Sequence, residues 1–207
     1  MLDNSKILIL TGFEDFLNLG RNPSALVAQA FDQKMVQSGV KIKSVVLPVD
    51  YMALPQSIDT LLDDPIFERS APVGILSLGL ASNRQVISLE KVSLNLIDSS
   101  HPDNAGRILL DTPILAIEQN AYFSTLPIGK IVKNLEHENF PCEISYSAGT
   151  YLCNMAMFLF LKKIQERLWQ IPCGFVHLPP DQKLDSLSDW SFEKLQKSVL
   201  TILQAMI

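Results

Sequence analysis

Three side chains in this sequence could together break an amide bond: Cys153, His177 and Glu90. Cys153 follows the turn Ser147-Ala148-Gly149-Thr150 and lies just inside the start of a strongly apolar helical pattern. The unpaired N–H groups and positive dipole end of a helix favour a thiolate, the form in which cysteine attacks. His177 comes near the end of the apolar run Gly174-Phe175-Val176-His177-Leu178, at the carboxyl end of a predicted strand. A neutral imidazole there could take the thiol proton and later return it to a leaving amine. Glu90, in Ile87-Ser88-Leu89-Glu90-Lys91-Val92, could hold that imidazole in the right tautomer and stabilise its cation. Plainer readings stand beside these. A strand histidine is commonly a satisfied structural residue, and spacing alone makes Glu90 a surface glutamate beside Lys91. Cys142 and Cys173 read as small buried hydrophobes, His137 as a solvated helix-end residue and His101 as a loop histidine. Phe13 and Phe16, at the carboxyl edge of the first strand, read as a loop anchor or as the walls of a flat pocket.

Such a trio needs a scaffold that brings distant segments to one edge. Short apolar runs alternate here with longer amphipathic ones, which predicts α/β layering. Strands are expected at about 7–11, 44–47, 73–78, 92–97, 114–117, 143–146 and 174–178. Helices are expected at about 23–37, opened by Asn22-Pro23-Ser24 and stopped by Gly39, and at 51–63, 127–138, 151–167 and 190–205. The 92–97 segment alternates Val92, Leu94 and Leu96 against Ser93 and Asn95, as a half-exposed strand does. The helix carrying Cys153 is apolar nearly all round, so packing on two sides is expected. The reading is a single domain over residues 1–207, a three-layer α/β/α sandwich with a mostly parallel, twisted central sheet. In such sheets, sites form outside the carboxyl ends of the strands, and Cys153 reaches the edge of His177 if its helix follows the preceding strand.

Composition excludes several classes. With 17 basic and 22 acidic residues the chain has a formal charge of −5, and no basic cluster tracks a helix face, so nucleic acid is not an expected partner. Three cysteines without CxxC spacing suit neither a disulfide framework nor a structural zinc site. The apolar run at residues 7–10 is too short for a signal peptide, and no stretch approaches about 18 apolar residues, so no membrane span is expected and a reducing cytoplasm is the simplest home.

Several motifs resemble those of one family, the type-one pyroglutamyl peptidases, also called pyrrolidone-carboxylate peptidases. Thr11-Gly12-Phe13-Glu14-Asp15-Phe16 with Asn22-Pro23-Ser24 is similar to the family's opening signature, and Leu47-Pro48-Val49 to the motif after its second strand. The segment from Arg84 to Gly106, with Glu90, Asn95-Leu96 and Pro102-Asp103-Asn104-Ala105-Gly106, resembles its glutamate motif. Ser145-Tyr146-Ser147-Ala148-Gly149-Thr150-Tyr151-Leu152-Cys153-Asn154 resembles the nucleophile motif, and Gly174-Phe175-Val176-His177-Leu178-Pro179 the histidine motif. The resemblance implies a cysteine peptidase, without metal or organic cofactor, that removes an N-terminal pyroglutamyl residue from peptides through a thioester. It implies Cys153 as nucleophile, His177 as base and acid, and Glu90 as the orienting carboxylate. Phe13, Phe16, Asn22, Tyr151 and Leu152 then bind the substrate, the last two pocket positions usually being Phe and Val. A homotetramer is also implied. The chain departs from the pattern at Leu80, Ser82 and Asn83, where the family has Gln, Gly and Gly, and at Ser100-His101, where it has Arg-Ile. These departures leave open a non-catalytic or altered-specificity member of the same fold that binds a lactam or a peptide N-terminus, and a cysteine hydrolase of another lactam or amide.

Overall fold

The computed structural model describes residues 6–16, 19–37 and 39–207, with Arg69 described for its backbone alone. Strand β1 (Lys6–Phe13) sends Leu8 and Leu10 into one core and Ile9 and Phe13 into another. A strand buried on both faces is continuously apolar, which is why this segment is so plain in the sequence. Helix α1 (Pro23–Phe31) starts where Asn22 accepts a hydrogen bond from the Ser24 backbone N–H. It ends well before the expected residue 37. Gln33 takes a left-handed conformation (φ 60), and the next residues form β2 (Met35–Gln37), an edge strand antiparallel to β3 (Val40–Leu47). Val36 is buried between exposed Met35 and Gln37, a period of two that the preceding helical pattern conceals. Gly39, expected to stop the helix, instead sits at φ 79 in the turn before β3.

Helix α2 (Ala53–Leu62), a short α3 (Ile66–Arg69) and β4 (Gly74–Leu80) follow. Then come β5 (Ile87–Glu90), β6 (Val92–Leu94), β7 (Ile97–Ser99), β8 (Leu109–Thr112) and β9 (Ala121–Phe123). The expected strand at 92–97 is thus split, and its faces are reversed: Ser93 is buried and Leu94 exposed. The cause lies in the helix above it, whose Asn154 occupies the backbone groups of Leu94 and Leu96. Residues 114–117 form no strand, and Ile117 is almost wholly exposed; β9 pairs with β6 instead. The chain closes with α4 (Ile128–His137), β10 (Cys142–Ser145), α5 (Leu152–Glu166), β11 (Cys173–Leu178) and α6 (Phe192–Met206).

Among the described residues, the main sheet runs β10-β5-β11-β4-β1-β3-β2. Its centre, β11, β4, β1 and β3, is parallel, while β5 runs antiparallel to β11 and β10 parallel to β5. One face is covered by α1, α4 and α6, through Val27, Ile131, Val199 and Ile202. The other carries α2 and α5, through Ile58, Phe158 and Phe160. This is the expected three-layer sandwich. Helix α5 touches β11 and β4 below it and α2, β6, β7 and β9 around it, which explains why it needs apolar residues on nearly every side.

Candidate active site

The carboxyl ends of β4 and β11 lie side by side, with His177 directly opposite Gly79. Side chains alternate along β11, so His177 shares with Phe175 the face that α5 covers. Cys153, in the first turn of α5, sits over Gly79: a Cβ at that glycine would lie 2.9 Å from the Cys153 sulfur. Glycine is what allows the thiol to descend onto the strand residue paired with His177. On the other side of β11, Glu90 pairs with Phe175 and Ser88 with His177. Glu90 therefore points to the same face, and its Oε1 lies 2.7 Å from His177 Nδ1. Imidazole and carboxylate are thus hydrogen-bonded, and the sulfur lies over the residue paired with His177.

The route to that rim differs from the expected one. Strand β10 runs opposite to β11, so the chain leaves Ser145 level with Glu90 and Phe175 and heading away from the edge of His177. Residues 146–151 bring it back, with Gly149 at φ 77. The loop is pinned where Thr150 Oγ1 donates to the Asp98 carbonyl (2.6 Å) and the Thr150 carbonyl accepts from the Asp98 N–H (3.0 Å). Asn154 then locks the start of α5: its Oδ1 accepts from Leu94 N–H, and its Nδ2 donates to the carbonyls of Leu94 and Leu96. Asn154 escaped the sequence reading; an amide one residue after the nucleophile, in a helix otherwise apolar, was the available signal.

Electrostatics correct the expected thiolate. Burial pushes the Cys153 thiol from 9.0 up to about 12, and the Glu90 charge adds to the rise. Arg84 and the residue's own backbone N–H pull the other way and lose. The helix-start donors are present, since Tyr151 offers no side-chain cap to the first turn; desolvation and a like charge outweigh them. Glu90 itself is fully buried, so the surface reading beside Lys91 fails. Its Oε1 also accepts from Arg84 Nη1 (2.7 Å), while its Oε2 has no partner among the described residues.

Phe13, Phe16, Asn22, Val49, Leu80, Tyr151, Leu152 and Cys153 line a tight cleft with an open volume of only about 20 Å³. Its walls are built from several motifs. A Cβ at Gly12 would lie 2.3 Å from the Ser24 carbonyl oxygen, so glycine lets the α1 start press against β1. Ser24 Oγ accepts from the Phe13 N–H (3.0 Å), and Asn22 Nδ2 donates to the Glu14 carbonyl (2.9 Å). Asn22 thus lines the cleft while spending its carbonyl oxygen on the Ser24 N–H and hydroxyl. Tyr151 donates its hydroxyl to the Pro102 carbonyl (2.8 Å), and Asn104 Nδ2 donates to the Asp15 carbonyl next to Phe16 (2.9 Å). The Pro102–Gly106 turn therefore buttresses the cleft from outside it. His101, His137, Ser82, Asn83 and Ser100 are exposed, while Leu80 faces the cleft. Cys142 and Cys173 begin β10 and β11, with thiols pushed up chiefly by burial. A larger hollow, lined by Tyr122, Leu168 and Trp169 among others, contains no cysteine, histidine or carboxylate. Among the described residues no cluster of histidine, cysteine, aspartate and glutamate could hold a metal, and no helix is long and apolar enough to cross a membrane.

Comparison with known proteins points to one family. A family model described as pyroglutamyl peptidase matches residues 5–205. The pyrrolidone-carboxylate peptidase of Halalkalibacterium halodurans is 34% identical over 205 residues, covering 97% of this chain and 98% of that protein. That of Pyrococcus furiosus is 36% identical over 187 residues, covering 87% and 85%. The solved structure of the pyrrolidone carboxyl peptidase from Thermococcus litoralis matches with a TM-score of 0.90 at 30% identity, covering 97% of this chain and 93% of that one. Sequence and fold thus agree over nearly the whole length, and the chain belongs to the pyroglutamyl peptidase family.

Proposed function

We propose that this protein is a cysteine peptidase that hydrolyses the amide bond after an N-terminal pyroglutamyl residue of a peptide. The observation that carries the reading is the meeting of three distant segments: the Cys153 sulfur over Gly79, His177 beside Gly79, and Glu90 on His177 Nδ1. The lactam ring enters the cleft, where Phe13, Phe16, Tyr151 and Leu152 bury its carbons.

At rest Cys153 holds its proton, its thiol pushed up chiefly by burial. His177 Nε2 takes that proton as the sulfur attacks the scissile carbonyl carbon. The developing oxyanion is received by N–H groups of the α5 first turn, the Cys153 N–H foremost. Glu90 stabilises the imidazolium, which then protonates the leaving amine and frees the peptide. A water deprotonated by His177 attacks the thioester, pyroglutamate leaves and the thiol is restored.

The cytoplasm and a homo-oligomer, a tetramer by family resemblance, belong to the same reading. Three free cysteines fit a reducing compartment, and sedimentation of the purified protein measures the assembly. The test of function is release of a fluorophore from a pyroglutamyl amide under reducing conditions. Turnover is expected, and Cys153→Ala should lower it by roughly 10⁴-fold or more. A folded, reduced wild-type protein that binds the compound without cleaving it would replace this reading with the non-catalytic one.

A further inference from the structure

The guanidinium of Arg84 has two holds on the site. Nη1 donates to Glu90 Oε1 at 2.7 Å, and Nη2 donates to the Ser147 carbonyl at 3.1 Å. The first partner is the fully buried carboxylate on His177; the second belongs to the loop that carries the chain to Cys153. We propose that Arg84 is a positioning residue for the reaction, clamping the Glu90 carboxylate to the nucleophile loop so that imidazole and thiol stay in register. The proposal rests on the peptidase reading above.

Two further observations support it. Glu90 Oε2 has no hydrogen-bond partner among the described residues, whereas Oε1 is met twice, with Arg84 as one of the two partners. A carboxylate in that position loses much of its compensation when one donor goes. Arg84 is also held in place by its own segment: its N–H donates to the Ala81 carbonyl (3.1 Å), Ala81 N–H donates to the Leu178 carbonyl (2.9 Å), and the buried Trp190 donates its indole N–H to the Gln85 carbonyl (2.8 Å). The guanidinium is thus aimed from a fixed backbone tied to the end of β11 itself.

The titratable and charged groups around this point are His177 on β11, Cys153 and Tyr151 at the start of α5, and Arg84 between β4 and β5. Lys91 follows Glu90 in the chain, and Glu143 of β10 is engaged by the Ser88 hydroxyl (2.7 Å). Removing the Arg84 cation takes away a charge that pulls the Cys153 thiol down, so thiol reactivity and the activity profile move to higher pH.

The experiment compares kcat and KM across pH for wild type, Arg84→Met and Arg84→Lys, with thermal melting as a check on folding. Arg84→Met should lower kcat by about tenfold or more with KM changed less than threefold, and move the acidic limb of kcat/KM upward by about half a pH unit or more. Arg84→Lys keeps the charge but cannot span both partners, so it should restore the pH profile while leaving kcat several-fold low. Alkylation of Cys153 by iodoacetamide, which needs no turnover, should show the same upward shift in Arg84→Met. An Arg84→Met protein whose pH profile and alkylation curve overlay wild type overturns the proposal, whatever its melting temperature. If Arg84→Met does not fold, Arg84→Lys decides: a wild-type kcat there overturns the clamp. Should wild type alkylate normally but turn nothing over, the peptidase reading fails while the alkylation comparison still tests Arg84.

Discussion

Cys153 and Leu80 face the same narrow cleft, and each constrains how the other can be used. The thiol is held protonated by burial and by the neighbouring carboxylate, so its reactivity has to come from His177 at the moment of attack rather than from a standing thiolate. Leu80 brings no hydrogen-bonding group to a pocket in which Asn22 has its carbonyl oxygen committed to Ser24 and Tyr151 its hydroxyl proton to Pro102. A lactam has one N–H and one carbonyl to satisfy, and a buried polar atom left unpaired costs about 1–3 kcal/mol. Replacing Leu80 with the glutamine common in the family should therefore raise kcat/KM for a pyroglutamyl amide by roughly fivefold, about 1 kcal/mol of transition-state binding. Steady-state kinetics of Leu80→Gln check this, and an unchanged or lower kcat/KM would mean that the ring's polar atoms are met elsewhere, by backbone groups.

Helix α5 is the element on which the site depends, and its start is fixed by an amide rather than by a conventional cap. Tyr151 at the N-cap makes no side-chain hydrogen bond to the helix, which leaves the first-turn N–H groups open for an oxyanion. The anchoring falls instead to Asn154, with three hydrogen bonds to the strand segment beside it. Asn154→Ala should destabilise the fold by about 2–4 kcal/mol, since it strands a donor and two acceptors in a poorly solvated place. It should also depress kcat more than KM, because the sulfur and the oxyanion donors both ride on that first turn. Urea denaturation with parallel kinetics tests both parts; a stability loss with unaltered kcat would show that α5 holds its position without this tie.

At the scale of the whole molecule, the layer between α5 and the sheet encloses groups that resist ionisation. Burial pushes the Tyr51 phenol up from 10.0 to about 12, and its hydroxyl has no hydrogen-bond partner among the described residues. The Cys173 thiol is likewise pushed well above 9.0. For both groups the unfolded chain releases its proton first as pH rises. Their contribution to stability is complete below about pH 9 and drains above it, by about 1.4 kcal/mol per pH unit for each group as its unfolded value is passed. The urea midpoint should be level between about pH 7 and 8.5 and fall between about pH 9 and 11. A midpoint that stays level to pH 11 would show that these side chains are reached by solvent in the native state.

What the sequence determined by itself is whatever is encoded locally or in repeated pattern. Doubly buried strands such as β1 and β11 announce themselves as apolar runs, Asn22 announces α1, and an all-round apolar α5 announces a helix packed on two sides. Cys153, His177 and Glu90 were recognisable as candidates because motif and residue type survive without coordinates. Other features depended on partners far along the chain. The strand at Met35–Gln37 exists because β3 offers it an edge, and Ser93 is buried because Asn154 comes from about 60 residues away to take the neighbouring backbone. The proton on Cys153 follows the same pattern: local helix geometry argues for a thiolate, and desolvation with the nearby Glu90 charge pushes the thiol up instead. Arg84 joined the site only through tertiary placement, because nothing in its own neighbourhood reveals which carboxylate its guanidinium will meet.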